Sequence, residues 1–505
     1  METNDEVGIE KLETGIPGFD FIADGGLPRG RTTLVTGTAG SAKTVFAAQF
    51  LAEGIIKSNE PGVFVTFEEP PADIRRNMIG FGWNIKEWEE RGLWAFVDAS
   101  PQPDQEHMVS GVYDLSALLA RVEYAMHKTS AKRVAMDSLG AIFSQFADGA
   151  AIRNELIRVA SAIKRADVTA VLTSECVREY GEITRFGVEE FVADNVIILR
   201  NLLEDEKRRR TIEILKFRGT MHQKGEYPFT VISNKGVVVI PISAMQLKQK
   251  SSDVRITSGN RELDEMCGGG FFRDSIILVS GATGTGKTLM TTEFISGGIG
   301  NGERCLLFAF EESREQLFRN AGGWGMNFKR MEADGLLKIV AAYPETASLE
   351  DHLLALKSEI EDFNPARVAV DSLSAIERIS TIKGFREFVI SLTSFIKHQE
   401  IVGLFTATTP TLMGGTSVTE THISTITDSI ILLRYVEVFG EMKRGLMVLK
   451  MRGSMHNKDI CEFLIDAKGM HIGKPFRGVN GILGGNPQHF TMTEVDRLTA
   501  VFKDQ

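Results

Sequence analysis

Cysteine is scarce in this sequence. The four present, Cys176, Cys267, Cys305 and Cys461, are scattered over 505 residues with no C-x-x-C or Cys/His spacing, which argues against a disulfide scaffold and against zinc sites. Long apolar runs are missing as well; none approaches the ~18 residues that a membrane helix needs. The opening METNDEVGIEKLETG is acidic and polar, unlike a signal peptide, so a cytoplasmic chain with no membrane partner is expected. Positive charge is in deficit. The formal net charge is −10 and the pI is near 5.6, which argues against a constitutive nucleic-acid binder. What is present is ordinary for a globular chain, 43% hydrophobic and 25% charged. The length suits two or three domains with real cores.

The most informative stretch is GATGTGKT at 281–288. It follows the apolar run IILV (276–279) and precedes a helical stretch beginning at Leu289, so it has the strand, loop and helix context of a phosphate-binding loop. Glycines let backbone N–H groups curl around a polyphosphate, and the helix N-terminus adds positive potential. Lys287 then meets the β- and γ-phosphates, and Thr288 holds Mg²⁺.

A second copy of the motif, GTAGSAKT, lies at 37–44. Ala42 stands there in place of the second glycine. It will narrow the loop, or cost little if the local backbone is helical. Lys43 and Thr44 precede Lys287 and Thr288 by 244 positions (287 − 43). Other blocks recur too: VFVTFEE with LLFAFEE, RVAMDS with RVAVDS, and KFRGTMH with KMRGSMH. The chain is a tandem duplication.

Short apolar segments at 63–67, 133–136 and 170–173 read as buried parallel strands. Helical stretches at 115–128 and 153–165 lie between them as right-handed crossovers. The expected fold class is α/β, with two tandem P-loop domains, each a mostly parallel sheet flanked by helices. Residues 1–243 form the first domain, 244–253 a polar linker and 254–474 the second domain. The glycine-rich tail, 475–505, ends in a short amphipathic segment, TMTEVDRLTAVF, with Thr491 and Glu494 spaced as a capping box.

Asp137 and Asp371 each end an apolar strand, where a Walker-B carboxylate belongs. The pairs Glu68-Glu69 and Glu311-Glu312 also follow strands and so share the carboxyl edge with the P-loops. Adjacent carboxylates there supply one group to polarise a nucleophile and one to tune it; a solvated acidic loop is the plainer reading. Lys216 with Arg218, and Lys450 with Arg452, alternate on an expected strand and so present two cations on one face. That suits a γ-phosphate supplied by a neighbouring subunit. The run KRRR at 207–210 reads as a charged hairpin.

One asymmetry separates the copies. VTETHISTITDS, 418–429, carries Thr419, Ser424 and Thr425, whereas Ser424 and Thr425 align with Glu190 and Phe191 in the first copy. Hydroxyls are acceptors that phosphoryl transfer can use in place of water, although a Thr-rich strand would look the same.

THISTITDSIILL, EMKRG, KMRGSMH and FRGTMHQKGEYPFT, with the doubled P-loops and Glu pairs, resemble the KaiC family, the hexameric RecA-like ATPases and autokinases of the bacterial circadian clock. The resemblance runs over about residues 8–475. It implies ATP and Mg²⁺ at the interfaces of a homohexamer of two stacked rings. Glu68 would activate water in the first, ATPase lobe, and Glu311 an acceptor hydroxyl in the second, autokinase lobe, with Glu69 and Glu312 beside them. Ser424 and Thr425 would be the phosphoacceptors, and Thr419 an assisting or transient one.

The implied nucleotide-binding set is Gly40, Ser41, Ala42, Lys43, Thr44 and Val45 in the first lobe, and Thr283, Gly284, Thr285, Gly286, Lys287, Thr288 and Leu289 in the second. Trp324 would stack near the adenine. Lys216, Arg218, His222, Lys450 and Arg452 would reach across interfaces, and Thr220 and Arg444 complete the set. Magnesium would fall to Thr44, Thr288 and Glu311. A KaiB-like partner is implied on the first lobe, near DLSALLARVEYAMHK (114–128), and a KaiA-like partner on the tail, near ILGGNP (482–487). Two other readings share the P-loops: a RecA/DnaB-like DNA-dependent ATPase, which the acidity opposes, and a signalling scaffold that is phosphorylated without oscillating.

Overall fold

A computed structural model describes residues 9–100, 115–143, 149–187, 189–204, 207–241, 251–409, 423–477, 479–480, 482 and 488–489. The chain divides into two units, Met1–Ala244 and Met245–Gln505. Residues 244–250 of the expected linker, Thr419, residues 483–487 of ILGGNP and the 491–505 segment lie outside the described residues.

In the first unit the apolar runs become strands because they are too short for helices and are covered on both faces. They are β1 (Thr32–Gly37), β2 (Gly62–Thr66), β3 (Trp94–Asp98), β4 (Arg133–Asp137), β5 (Thr169–Glu175) and β6 (Asn195–Glu204), all mutually parallel where they pair. Antiparallel β7 (Lys207–Phe217), β8 (Glu226–Ile232) and β9 (Gly236–Val239) extend the sheet. The order is β9-β8-β7-β6-β1-β5-β4-β2-β3. KRRR opens β7, and β6 with β7 forms an antiparallel hairpin in which Glu204 faces Lys207.

Helix α1 (Lys43–Ser58) follows the first P-loop, and its residues from Phe46 to Ala52 are all buried. Helices α2 (Ser116–Thr129) and α3 (Gly149–Arg165) cover the other face, with Val122, Met126, Leu156 and Val159 in a second core.

The second unit repeats the plan. Its strands are β10 (Ile276–Gly281), β11 (Cys305–Ala309), β12 (Leu337–Ala341), β13 (Arg367–Asp371), β14 (Val402–Thr408), β15 (Ser429–Val438), β16 (Glu441–Met451), β17 (Cys461–Asp466) and β18 (Gly469–Pro475). The order is β12-β11-β13-β14-β10-β15-β16-β17-β18, again parallel up to β15 and antiparallel beyond. Helix α4 (Lys287–Gly300) is buried on most of its surface. Helix α5 (Arg314–Gly323) begins at a full capping box, in which Ser313 N donates to Gln316 Oε1 at 2.8 Å. That box immediately follows Glu311-Glu312 and so fixes where the pair leaves the sheet. In the first unit Pro71 does this, at the first turn of the helix Pro71–Met78.

Helices α6 (Leu349–Phe363), α7 (Leu373–Arg378) and α8 (Ile382–His398) also belong to the second unit.

Candidate functional site

Each P-loop joins the carboxyl end of a central strand to a long helix. The loop lysines are held by loop carbonyls: Lys43 Nζ donates to Gly37 O and Thr38 O at 2.9 Å each. Lys287 Nζ donates to Gly281 O and Ala282 O at 3.0 Å each, and burial pushes the Lys287 ammonium below its ordinary range. Gly40 and Gly284 take φ of 74° and 79°. A Cβ at Gly284 would lie 2.8 Å from the Tyr435 hydroxyl, so only glycine keeps this backbone open to a polyphosphate.

Ala42 has φ 70° and ψ 28°, in the left-handed region. Of the two alternatives the sequence leaves open here, the one that needs a right-handed helical backbone does not apply. The residue is tolerated because the first lobe leaves room. At Gly286 a Cβ would meet Ile465 Cδ1 at 3.1 Å and Met470 Cε at 3.4 Å, and the aligned residues in the first lobe are the smaller Val231 and Val237. Val45 packs at the edge of the first core and Leu289 is buried in the second. Ser41 and Thr285 are buried, Thr285 Oγ1 donating to Ala282 O at 2.7 Å, while Thr283 is exposed.

The Walker-type aspartates end β4 and β13. Thr44 Oγ1 donates to Asp137 Oδ2 at 2.7 Å, and Thr173 Oγ1 donates to Asp137 Oδ1. Thr406 Oγ1 donates to Asp371 Oδ1 at 2.5 Å, and Thr288 also bonds Asp371. Burial pushes both aspartates above the usual carboxylate range. The paired hydroxyl and carboxylate oxygens form a hard donor set that fits Mg²⁺.

The glutamate pairs differ between the lobes. Glu68 Oε1 accepts from Ser138 Oγ at 3.0 Å. Its carboxyl is pushed up, first by burial and then, against that hydrogen bond, by Glu175 and Asp137. Glu69 Oε2 accepts from Asn77 Nδ2 at 3.4 Å. In the second lobe Glu311 Oε1 instead meets Arg378 Nη2 at 3.1 Å. Glu312 accepts from Asn320 Nδ2 at 2.9 Å and is pushed up, first by burial. A cavity of ≈ 130 Å³ opens beside this pair, lined also by Phe310, Ser313, Ala342 and Tyr343.

The cations and the segment that carries Ser424 and Thr425 lie elsewhere. Arg218 and Arg452 fall just beyond β7 and β16 rather than on them, a correction to the alternating-strand expectation. The targets of each pair still lie close together. Lys216 Nζ reaches Glu190 O at 2.8 Å and Arg218 Nη2 reaches Phe191 O at 2.9 Å. Lys450 Nζ reaches Thr427 O and Arg452 Nη2 reaches Thr425 O, both at 2.6 Å. The two arginines thus put Phe191 and Thr425 in equivalent positions.

Ser424 and Thr425 lie in the short 3₁₀ turn Ile423–Thr425, and Thr425 is exposed. Asp428 then anchors the turn to the start of β10: Ile276 N donates to Asp428 Oδ2 at 2.8 Å. The P-loop begins at the other end of that strand, five residue steps or about 17 Å away at ~3.3 Å per residue. The 423–425 turn therefore lies at the opposite end of that strand from its own P-loop.

Trp324 caps α5 at its C-terminus and packs, partly buried, against the second core. His222 stacks edge-on to Phe217 in the turn after β7, near Thr220. Arg444 lies over the Tyr435 ring, 5.8 Å from its centroid.

Four residues escaped the reading of the sequence. Arg210 Nε donates to Gly40 O at 3.3 Å, so part of KRRR leans on the first P-loop; its alignment with Arg444 was the available signal. Ser138 was visible in the repeated RVA-x-DS block. Glu175 and Arg378 left no trace, because neither recurs in the other copy.

Comparison with known proteins bears on the whole chain. The family model described as ATPase: KaiC matches residues 12–244 and again 256–476. A Synechocystis sp. protein named circadian clock protein KaiC3 is 68% identical over 498 residues, 99% of this chain and 98% of that protein. Proteins named circadian clock oscillator protein KaiC are 56% identical in Parathermosynechococcus lividus, over 98% of this chain and 92% of that protein, and 54% identical in Synechococcus elongatus, over 98% and 95%.

Proposed function

The chain belongs to the KaiC ATPase family, and on that premise we propose that it is an ATP-hydrolysing autokinase and autophosphatase of a timing system. In this reading it works as a homohexamer of two stacked rings. The first lobe hydrolyses ATP, and the second phosphorylates Ser424 and Thr425 of the adjacent subunit, with Thr419 assisting. The carrying observation is the distance of the acceptor turn from its own P-loop. A turn tied to the amino end of β10 by Asp428 lies a strand's length from the P-loop at the carboxyl end, which supports transfer between subunits.

In the first lobe Lys43 leaves its loop carbonyls for the phosphates. Glu68, its carboxyl raised by burial, takes a proton from the attacking water, and Glu69 tunes it. In the second lobe Glu311 takes the proton of the acceptor hydroxyl as its oxygen bonds the γ-phosphorus. The bond to the bridging oxygen breaks, ADP leaves, and Lys287 balances the phosphate charge. Thr44 with Asp137, and Thr288 with Asp371 and Glu311, would hold Mg²⁺, which neutralises charge on the phosphate oxygens when bound. Lys216, Arg218, His222, Lys450 and Arg452 act on the neighbour's nucleotide, with Thr220, Arg444 and Trp324 completing the pocket.

A phosphorylated turn gains nearly two negative charges beside Arg452 and Lys450, enough to bias how lobes pack and which partners dock. A KaiB-like partner on the first lobe and a KaiA-like one on the tail fit this scheme. Phosphopeptide mass spectrometry after incubation with ATP tests it. Phosphate is expected on Ser424 and Thr425 and is expected to vanish in Glu311→Gln; absence of phosphate from both residues in the parent chain would remove the autokinase.

A further inference from the structure

We propose that Arg378 is a positioning residue for the second lobe's phosphoryl chemistry: it holds the Glu311 carboxylate off a seat at Ser372 that the corresponding Glu68 occupies in the first lobe. The inference rests on Glu311 being the base of that lobe.

The backbone gives both glutamates the same footing. Phe67 N donates to Asp137 O at 3.0 Å and Phe310 N to Asp371 O at 2.8 Å. The next residues along each pair of strands are therefore Glu68 facing Ser138 and Glu311 facing Ser372. In the first lobe the seat is filled, Ser138 Oγ donating to Glu68 at 3.0 Å. In the second lobe Ser372 is fully buried, and its Oγ has no hydrogen-bond partner among the described residues. A buried hydroxyl left without a partner is costly, so the second lobe keeps a donor waiting for a carboxylate placed elsewhere.

What displaced the carboxylate is the guanidinium of Arg378, 3.1 Å away at the end of α7. The copies differ there in sequence, Arg378 aligning with Ser144. Both partners of this pair are substantially exposed, at 59% and 37% of their side chains. Such a contact is weak enough to open in each catalytic cycle. On the Ser372 seat the carboxylate stands next to Asp371 and the P-loop, where a nucleophile must be oriented; on the Arg378 seat it is drawn toward α7. The second lobe thus rests with its base held aside, and the first lobe does not.

The test uses the full chain with the first lobe silenced by Glu68→Gln, reading both phosphate release and label at 424–425. Removing an exposed ion pair supports a rise of about two- to fivefold, so Arg378→Ala and Arg378→Ser are each expected to raise second-lobe turnover by that factor, and Arg378→Lys by less. Ser372→Ala is expected to cost several-fold more in the Arg378→Ala chain than alone, because only there does Glu311 use the seat. Melting and nucleotide binding matched to the parent identify any variant that misfolds, and Arg378→Ser then stands in for Arg378→Ala. A fall in turnover on removing the arginine, or an equal cost of Ser372→Ala in both backgrounds, would overturn the proposal. If Glu311→Gln leaves second-lobe turnover intact, the base assignment itself fails. If it abolishes turnover while the coupling is absent, only the role of Arg378 falls.

Discussion

Glu293 shows what one substitution between the copies can do. It occupies the position of Gln49 on the P-loop helix, and both side chains tie that helix to the last hairpin of their sheet. Gln49 is neutral: it accepts from Val237 N at 2.6 Å and donates to Lys235 O and Val237 O. Glu293 accepts from Met470 N at 2.6 Å and from Asn260 Nδ2 at 3.3 Å. Burial, opposed by those bonds and by His471, pushes its carboxyl up to about 7. An acid raised in the folded state binds protons that the unfolded chain has released. Its effect is therefore to make stability fall as pH rises from about 4.5 to about 7, and to leave it flat above. Glu293→Gln is expected to flatten that slope, cutting the difference in second-lobe unfolding free energy between pH 5 and pH 7.5 by about 2–3 kcal/mol at most. Denaturant titrations at the two pH values measure it, and an unchanged slope would refute it.

At the scale of the element, each lobe is pinned by an arginine that begins the Walker-type strand. Arg367 is fully buried: it pairs with Glu303 at 2.6 Å, donates to Thr257 O at 2.7 Å and Phe294 O at 2.9 Å, and stacks on Phe294. Arg133 does the same with Glu60, Phe50 O and the Phe50 ring. One guanidinium thus joins β13 to α4, whose N-terminus carries the P-loop. Removing one member of a buried pair is costly because the other charge stays behind. Arg367→Met is expected to destabilise the second lobe by about 3–5 kcal/mol, and adding Glu303→Gln is expected to restore part of that loss. Unfolding of the two variants measures both effects, and a loss below 1 kcal/mol would show that water replaces the guanidinium.

At the scale of the whole molecule, the proposed transfer depends on which subunit supplies the base and which the hydroxyl. A chain lacking acceptors, Ser424→Ala/Thr425→Ala, and a chain lacking the base, Glu311→Gln, are each expected to stay unlabelled alone. When the two chains are mixed, label is expected on the Glu311→Gln chain if, as proposed, its neighbour contributes an intact P-loop and Glu311. Mass-resolved labelling of the mixture decides this, and label that never appears on mixing would mean that base and acceptor must share one chain. The repeated blocks and the hydroxyls found in one copy were legible in the sequence, but how differently the two glutamate pairs are furnished was not. Arg378 meets Glu311 across 67 residues and Arg210 meets Gly40 across 170, and no local pattern in the chain records either contact.

What the sequence determined by itself was local and repeated: the duplication, the two strand-loop-helix phosphate cradles, the aspartates and glutamates at strand ends, and the hydroxyls present in one copy only. These follow from short-range backbone and side-chain chemistry, which spacing expresses directly. Only the tertiary structure decided that Ala42 stands in a left-handed backbone beside smaller neighbours, that the 423–425 turn lies at the opposite end of β10 from its P-loop, and that Glu311 rests on Arg378 while Ser372 waits. Each of these depends on sheet order and on contacts between distant segments, which strand pairing creates and residue spacing does not encode.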